Sequence, residues 1–186
     1  RVYLIIPILF LCSANLTAQH ELWGMTYEGG GNWGIIYKTD SCGENFTIEY
    51  MFSALERYSK GTLVLASNGK YYGMSEGGGL YGLGTIFEYD PATDSVKVLH
   101  HFDGTNTGSH PKGDLLQASN GKFYGMTYEG GADNLGVVFE FDLSGLTFTK
   151  IHDFGHYPKG RNPHGSLIEA TNGKLYGMTE HGGGLG

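Results

Sequence analysis

Apolar and polar residues alternate with a period of two through much of this chain. Between residues 136 and 142, Val137, Phe139 and Phe141 share one face, and Glu140 and Asp142 take the other. This is the pattern of a strand with one face in a core. Tyr124, Met126 and Tyr128 form a second such stripe, opposite Gly125 and Thr127. The same arrangement recurs at Trp23, Met25, Tyr27 and at Tyr72, Met74. No stretch of comparable length carries a helical period. Strands are predicted over 113–119, 122–129, 136–142 and 148–154, broken by Asn120-Gly121, a Gly-rich loop and Ser144-Gly145. Asn-Gly predicts a two-residue type I′ hairpin, with positive φ at both residues. The aromatic–Met stripe reads as core between neighbouring sheets. The glycine face predicts close approach by another backbone.

The unit repeats. Asn68-Gly69-Lys70, Asn120-Gly121-Lys122 and Asn172-Gly173-Lys174 follow one another at a step of 52 residues. Tyr72-Gly73-Met74, Tyr124-Gly125-Met126 and Tyr176-Gly177-Met178 keep that step, and Trp23-Gly24-Met25 stands for them in a first copy. Gly-Gly pairs follow at Gly29-Gly30, Gly78-Gly79, Gly130-Gly131 and Gly182-Gly183. Periods of this length mean one supersecondary unit per repeat, stacked to bury a shared core. Four antiparallel strands with short connections match a blade, so the expected fold is all-β, a partial β-propeller. The alternative is a β-solenoid, although its coil is shorter and lacks Asn-Gly hairpins. The expected division is an incomplete first repeat at 20–60 (strands two to four), then 61–112, 113–164 and a truncated repeat at 165–186. In a complete chain, the C-terminal end would supply the missing first strand and remove two free edges.

Residues 2–11 (VYLIIPILFL) follow Arg1 and precede Cys12, Ser13 and Ala14. They read as a signal peptide over residues 1–19, cleaved near Ala18 or Gln19, which predicts a secreted or bacterial cell-surface protein. The run is too short to span a bilayer, so no membrane span is expected in the mature chain. Leu11 is too bulky for a lipoprotein site at Cys12. Removing the signal leaves Cys42 as the single cysteine, which excludes an intrachain disulfide and a Cys-based metal site. The chain begins with Arg and stops at HGGGLG in mid-motif, and so reads as a piece of a longer reading frame. Thirty-two glycines with thirteen Tyr and ten Phe fit short strands joined by tight turns rather than disorder. The net charge of −7 and the lack of any Lys/Arg cluster exclude nucleic acid and anionic membranes as partners.

Gly113, Leu115, Gly121, Tyr124, Gly125, Thr127, Gly130, Gly131, Gly136, Val138 and Phe139, with Pro111 and Pro163, carry a motif that resembles the GloVer tandem repeats. These are choice-of-anchor secreted bacterial β-repeat proteins. The resemblance runs from residue 21 to 186. It departs at Met126 and its equivalents, where Thr is usual, at Asn-Gly for Asp-Gly, and in a first copy with Trp23 for Tyr and Ser59 for Pro. It implies a secreted or surface location and transfers no activity.

In an up-and-down sheet, the turns after strands one and three lie at one end, and the loops after strands two and four at the other. The second set is long and varied. It holds Tyr27, Glu28, Glu76, Tyr128, Glu129, Glu180 and His181, with the segments 103–113 and 155–165. Rings that stack and carboxylates that accept hydroxyl donors suit an extracellular glycan or polar protein surface. No catalytic residue is assigned: Glu28 and Glu129 recur at one position, but Gly77 and His181 replace them elsewhere. No cofactor motif is present, and the Gly-rich stretches precede strands rather than helices. His100 and His152 are expected to be structural. His110, His156 and His164 lie in loops, and no metal ligand set is assigned. The leading reading is a binding or scaffold module. The alternatives are a propeller enzyme acting on extracellular polysaccharide and a structural spacer. The oligomeric state stays open.

Overall fold

The computed structural model describes residues 21–31 and 33–183. The predicted signal segment lies outside them. The described residues contain no helix, and their strands form four antiparallel sheets. The first sheet is β1 (Leu22–Met25), β2 (Ile35–Thr39) and β3 (Thr47–Met51). The second is β4 (Val64–Leu65), β5 (Tyr71–Ser75), β6 (Thr85–Asp90) and β7 (Ser95–His101). The third is β8 (Leu116–Gln117), β9 (Phe123–Thr127), β10 (Val137–Asp142) and β11 (Thr147–Asp153). The last pairs β12 (Ile168–Glu169) with β13 (Leu175–Tyr176). Strands pair with their sequence neighbours, unlike the coil-on-coil ladders of a parallel β-helix.

The first strands β4, β8 and β12 make only two ladder pairs each, so packing must hold the sheets together. Tyr72 and Met74 of β5 are buried with Leu115, Phe123, Phe139 and Phe141 of the next sheet, and the Tyr72 and Phe123 rings lie 4.8 Å apart. Tyr124 and Met126 meet Leu167 in the same way. Each such side chain contributes about 1.5–3 kcal/mol through burial.

The glycine face differs from expectation. A ring covers it, not a backbone. A Cβ at Gly125 would lie 2.5 Å from Phe139 Cζ, and one at Gly73 2.7 Å from Phe87 Cζ. Each ring belongs to the glycine's cross-strand partner. Gly24 and Tyr37 repeat the pair in the first sheet. An aromatic residue thus replaces the packing that the paired glycine lacks.

The Asn-Gly hairpin also differs. Asn68, Asn120 and Asn172 do not adopt positive φ; only Gly69, Gly121 and Gly173 do, at 79°, 81° and 74°. Gly69 N–H donates to the Ala66 carbonyl at 3.0 Å, and Ala66 N–H to the Lys70 carbonyl at 2.9 Å. This is a type I turn closed by a left-handed glycine. The reason lies in the Asn side chain. Asn68 Oδ1 accepts Lys70 N–H at 3.1 Å, while its Nδ2 donates to the Tyr72 hydroxyl at 2.9 Å. That hydroxyl donates to Glu88 Oε2 at 2.7 Å, and Lys70 Nζ holds Glu88 Oε1 at 2.6 Å. Asn120, Lys122, Tyr124 and Glu140 repeat the network.

Successive first strands touch at their starts. A Cβ at Gly113 would lie 2.1 Å from the Gly165 carbonyl oxygen, and one at Gly61 2.5 Å from that of Gly113. Asp114 N–H donates to Ser166 Oγ at 2.8 Å, and Ser166 Oγ–H to Asp114 Oδ2 at 2.7 Å. Thr62 N–H donates to Asp114 Oδ1. Finally, Cys42 is disulfide-bonded. The expectation that Cys42 forms no intrachain disulfide is thereby corrected.

Candidate functional site

The loop after each fourth strand crosses to the end of the next sheet's second strand. Short antiparallel bridges join Arg57 to Gly77, Ser109 to Glu129 and Arg161 to His181. The residue after each bridge is left-handed: Tyr58 (φ 62°), His110 (53°) and Asn162 (53°). Its carbonyl accepts the N–H of Glu76, Tyr128 or Glu180 at 3.2, 3.2 and 3.1 Å. Its own N–H donates back to Trp33, Leu83 or Leu135 at 3.3, 2.9 and 2.8 Å. Each loop therefore ties one sheet to the next through backbone bonds. Asn and His are enriched in this conformation; a bulky tyrosine is not.

These junctions place the sequence-predicted residues. Tyr27 stacks on Tyr58 with ring centres 5.0 Å apart, and Lys60 Nζ lies 5.2 Å from the Tyr27 ring. Lys60 also pairs with Glu76 at 2.8 Å, bridging the two residues between the first and second sheets. Lys112 Nζ sits 3.2 Å from the Tyr128 ring centre, and His164 meets that ring edge-on at 6.1 Å. Partial loss of water, then the nearby Glu180 carboxylate, raise the pKa of the Tyr128 hydroxyl. Glu129 Oε2 stands 3.5 Å from His110 Nδ1 without hydrogen-bond geometry. His181 Nε2 is 3.6 Å from Glu180 Oε1. Glu28 is exposed and makes no ion pair among the described residues. The structure thus gathers Tyr27 with Glu76, and Tyr128 with Glu180 and Glu129, at successive junctions rather than in one pocket.

Lys60 and Lys112 were missed by sequence reasoning. Lys60, Lys112 and His164 keep the step of 52 and stand directly before Gly61, Gly113 and Gly165, a register that was legible. Tyr58, Trp33 and Arg57 were missed as well. The guanidinium of Arg57 lies 5.3 Å from the Trp33 ring.

The histidines of the fourth strands pack inward. His100 stacks on Phe148 of the following sheet at 4.3 Å and 10°. Burial, then the neighbouring His101 charge, hold its pKa down at about 4. An apolar groove beside His152, lined by Met126, Val138, Phe154, Leu167 and Leu175, is the matching face of the third sheet. In the second sheet that face is filled by aromatic packing, so the groove is packing surface rather than a site. No group of three His, Cys, Asp or Glu that could hold a metal exists among the described residues.

No curated protein matches the chain in sequence. Two solved structures share its fold. TolB from Acinetobacter baumannii matches with a TM-score of 0.54 at 13% identity, over 87% of this chain and 39% of TolB. The extracellular domain of a one component system protein from B. thetaiotaomicron matches with a TM-score of 0.57 at 14% identity, over 89% of this chain and 20% of that one. The chain therefore spans well under half of either protein. The antiparallel sheets and these neighbours make the fold β-propeller-like. The chain belongs to the Gloeobacter/Verrucomicrobia repeat family, whose model matches residues 13–186.

Proposed function

We propose that the four sheets are successive blades of a β-propeller in a secreted or cell-surface protein, and that the loop face is its binding surface for an extracellular glycan. One observation carries this reading. The varied polar and aromatic residues of every repeat—Tyr27, Glu76, Tyr128 and Glu180, with Lys60, Lys112 and His164—collect along one rim at equivalent junctions. The opposite end bears short turns. Rings, carboxylates and ammonium groups side by side are the chemistry that sugar hydroxyls and ring faces meet. The test is a glycan array probed with the whole chain and with Tyr128→Ala/Glu129→Ala. Binding that the double variant loses while its melting temperature holds supports the reading; binding that survives unchanged defeats it. A structural spacer is the second reading, favoured by the Lys60–Glu76 and Tyr128–Glu180 contacts, which join adjacent sheets.

A further inference from the structure

We infer that the junction between the first and second sheets holds a subsite for a carboxylate-bearing sugar, a uronate, centred on Arg57. The inference rests on the glycan reading of the rim and names the sugar class.

Three observations converge. First, Arg57 makes no ion pair among the described residues, and its Nε is buried without a hydrogen-bond partner. A buried unpartnered donor is costly and needs a reason. The adjacent carboxylate does not supply one: Glu56 turns away, accepting the N–H and hydroxyl of Ser53. Second, the position facing Arg57 is buried and carries no side chain. Its bridge partner is Gly77, where the other repeats carry Glu28, Glu129 and His181. Gly77 does not adopt positive φ, so its backbone does not require glycine. A Cβ there would stand 3.8 Å from Arg57 Nε and 3.3 Å from Tyr58 Cδ2. A side chain there would press on the Tyr58 ring and reach the guanidinium. Third, the surroundings are aromatic. Trp33 lies under the guanidinium, Tyr58 is held left-handed against Tyr27, and Tyr81 is 61% exposed. Tyr81 precedes Gly82, at which a Cβ would come within 3.8 Å of an Arg57 terminal nitrogen.

A guanidinium fork matches a carboxylate in two hydrogen bonds, and flat rings match the C–H face of a pyranose. A uronate carries both features on one ring. An acidic peptide would supply the carboxylate without the flat face.

The experiment titrates the whole chain with uronate oligomers, their neutral counterparts and acidic peptides, by calorimetry. Arg57→Gln removes the charge. Gly77→Glu restores the side chain of other repeats and sets an internal carboxylate beside Arg57. Uronate affinity is expected to fall about tenfold or more in each, the size of a lost hydrogen bond to a charged group. Gly77→Glu must shift the Tyr58 ring slightly, so its melting temperature is read beside its affinity, and Arg57→Gln, which adds no atoms there, should keep the parent melting temperature. Uronate affinity unchanged in Gly77→Glu overturns the inference. Preference for the acidic peptide overturns it too. Binding of neutral oligomers alone overturns it while leaving the glycan reading of the rim intact; binding of no oligomer defeats both.

Discussion

The contact between first strands makes a graded prediction from one substitution at three equivalent positions. Gly61, Gly113 and Gly165 lack the positive φ that would demand glycine, so alanine is resisted only by what its Cβ meets. At Gly113 it meets backbone: Gly165 O at 2.1 Å, Gly165 C at 2.7 Å and Ser166 N at 3.2 Å. Ordinary contact needs about 3.5 Å, so the strands must part by roughly 1 Å. That strains the two Asp114–Ser166 hydrogen bonds. Overpacking of about 1–3 kcal/mol and a weakened bond of about 1 kcal/mol give a loss of about 3 kcal/mol. For a chain of this size, that lowers the melting temperature by roughly 6–12 °C. Gly61→Ala meets Gly113 O at 2.5 Å and Asp114 Oδ1 at 2.8 Å, and the second can swing aside. Its loss should be smaller. Gly165→Ala meets nothing within 4 Å and should stabilise by about 0.4–1 kcal/mol through the unfolded chain. Thermal and urea unfolding by circular dichroism rank the three. If Gly113→Ala melts with the parent chain, or Gly165→Ala falls as far as Gly113→Ala, the packing argument is wrong.

Two further outcomes are expected. Asn120→Asp keeps an oxygen for Lys122 N–H but loses the donor to the Tyr124 hydroxyl, which should cost about 1 kcal/mol; an unmoved urea midpoint would show that the amide does nothing. His100 has a folded pKa of about 4, below its ordinary 6.5, so the unfolded chain takes up a proton first. The group's contribution to stability is therefore complete above pH 6.5 and is lost as pH falls towards 4. His100→Phe should flatten the urea midpoint against pH across that window, and an equally steep curve in the variant would refute the assignment.

The strand pattern was legible because period-two alternation and Gly-rich punctuation are local. What the sequence reading got wrong depends on partners distant along the chain. The hairpin type turned on Asn68 donating to Tyr72, whose hydroxyl is fixed by Glu88, sixteen residues on. An Asn-Gly pair read by itself favours the type I′ turn, and only the third strand decides otherwise. The glycine face was assigned to a neighbouring backbone, yet Phe139 covers Gly125 because the β9–β10 register sets them opposite each other.

The sequence reading set the rim residues on the long, varied loops after strands two and four. Backbone bonds repeated at three junctions hold Glu76, Tyr128 and Glu180 there, and this separates two kinds of variation. Bonds through the N–H and carbonyl of Tyr58, His110 and Asn162 use no side-chain chemistry. The frame therefore stands whatever residue is carried there, provided it tolerates positive φ. Asn162 and His110 do so readily. Tyr58 does so at a cost, and its neighbour Gly77 carries no side chain although its φ does not require glycine. The backbone demands neither choice, and both stand beside the guanidinium of Arg57. Departures from the repeat that the backbone does not require are where selection for a ligand would leave its mark.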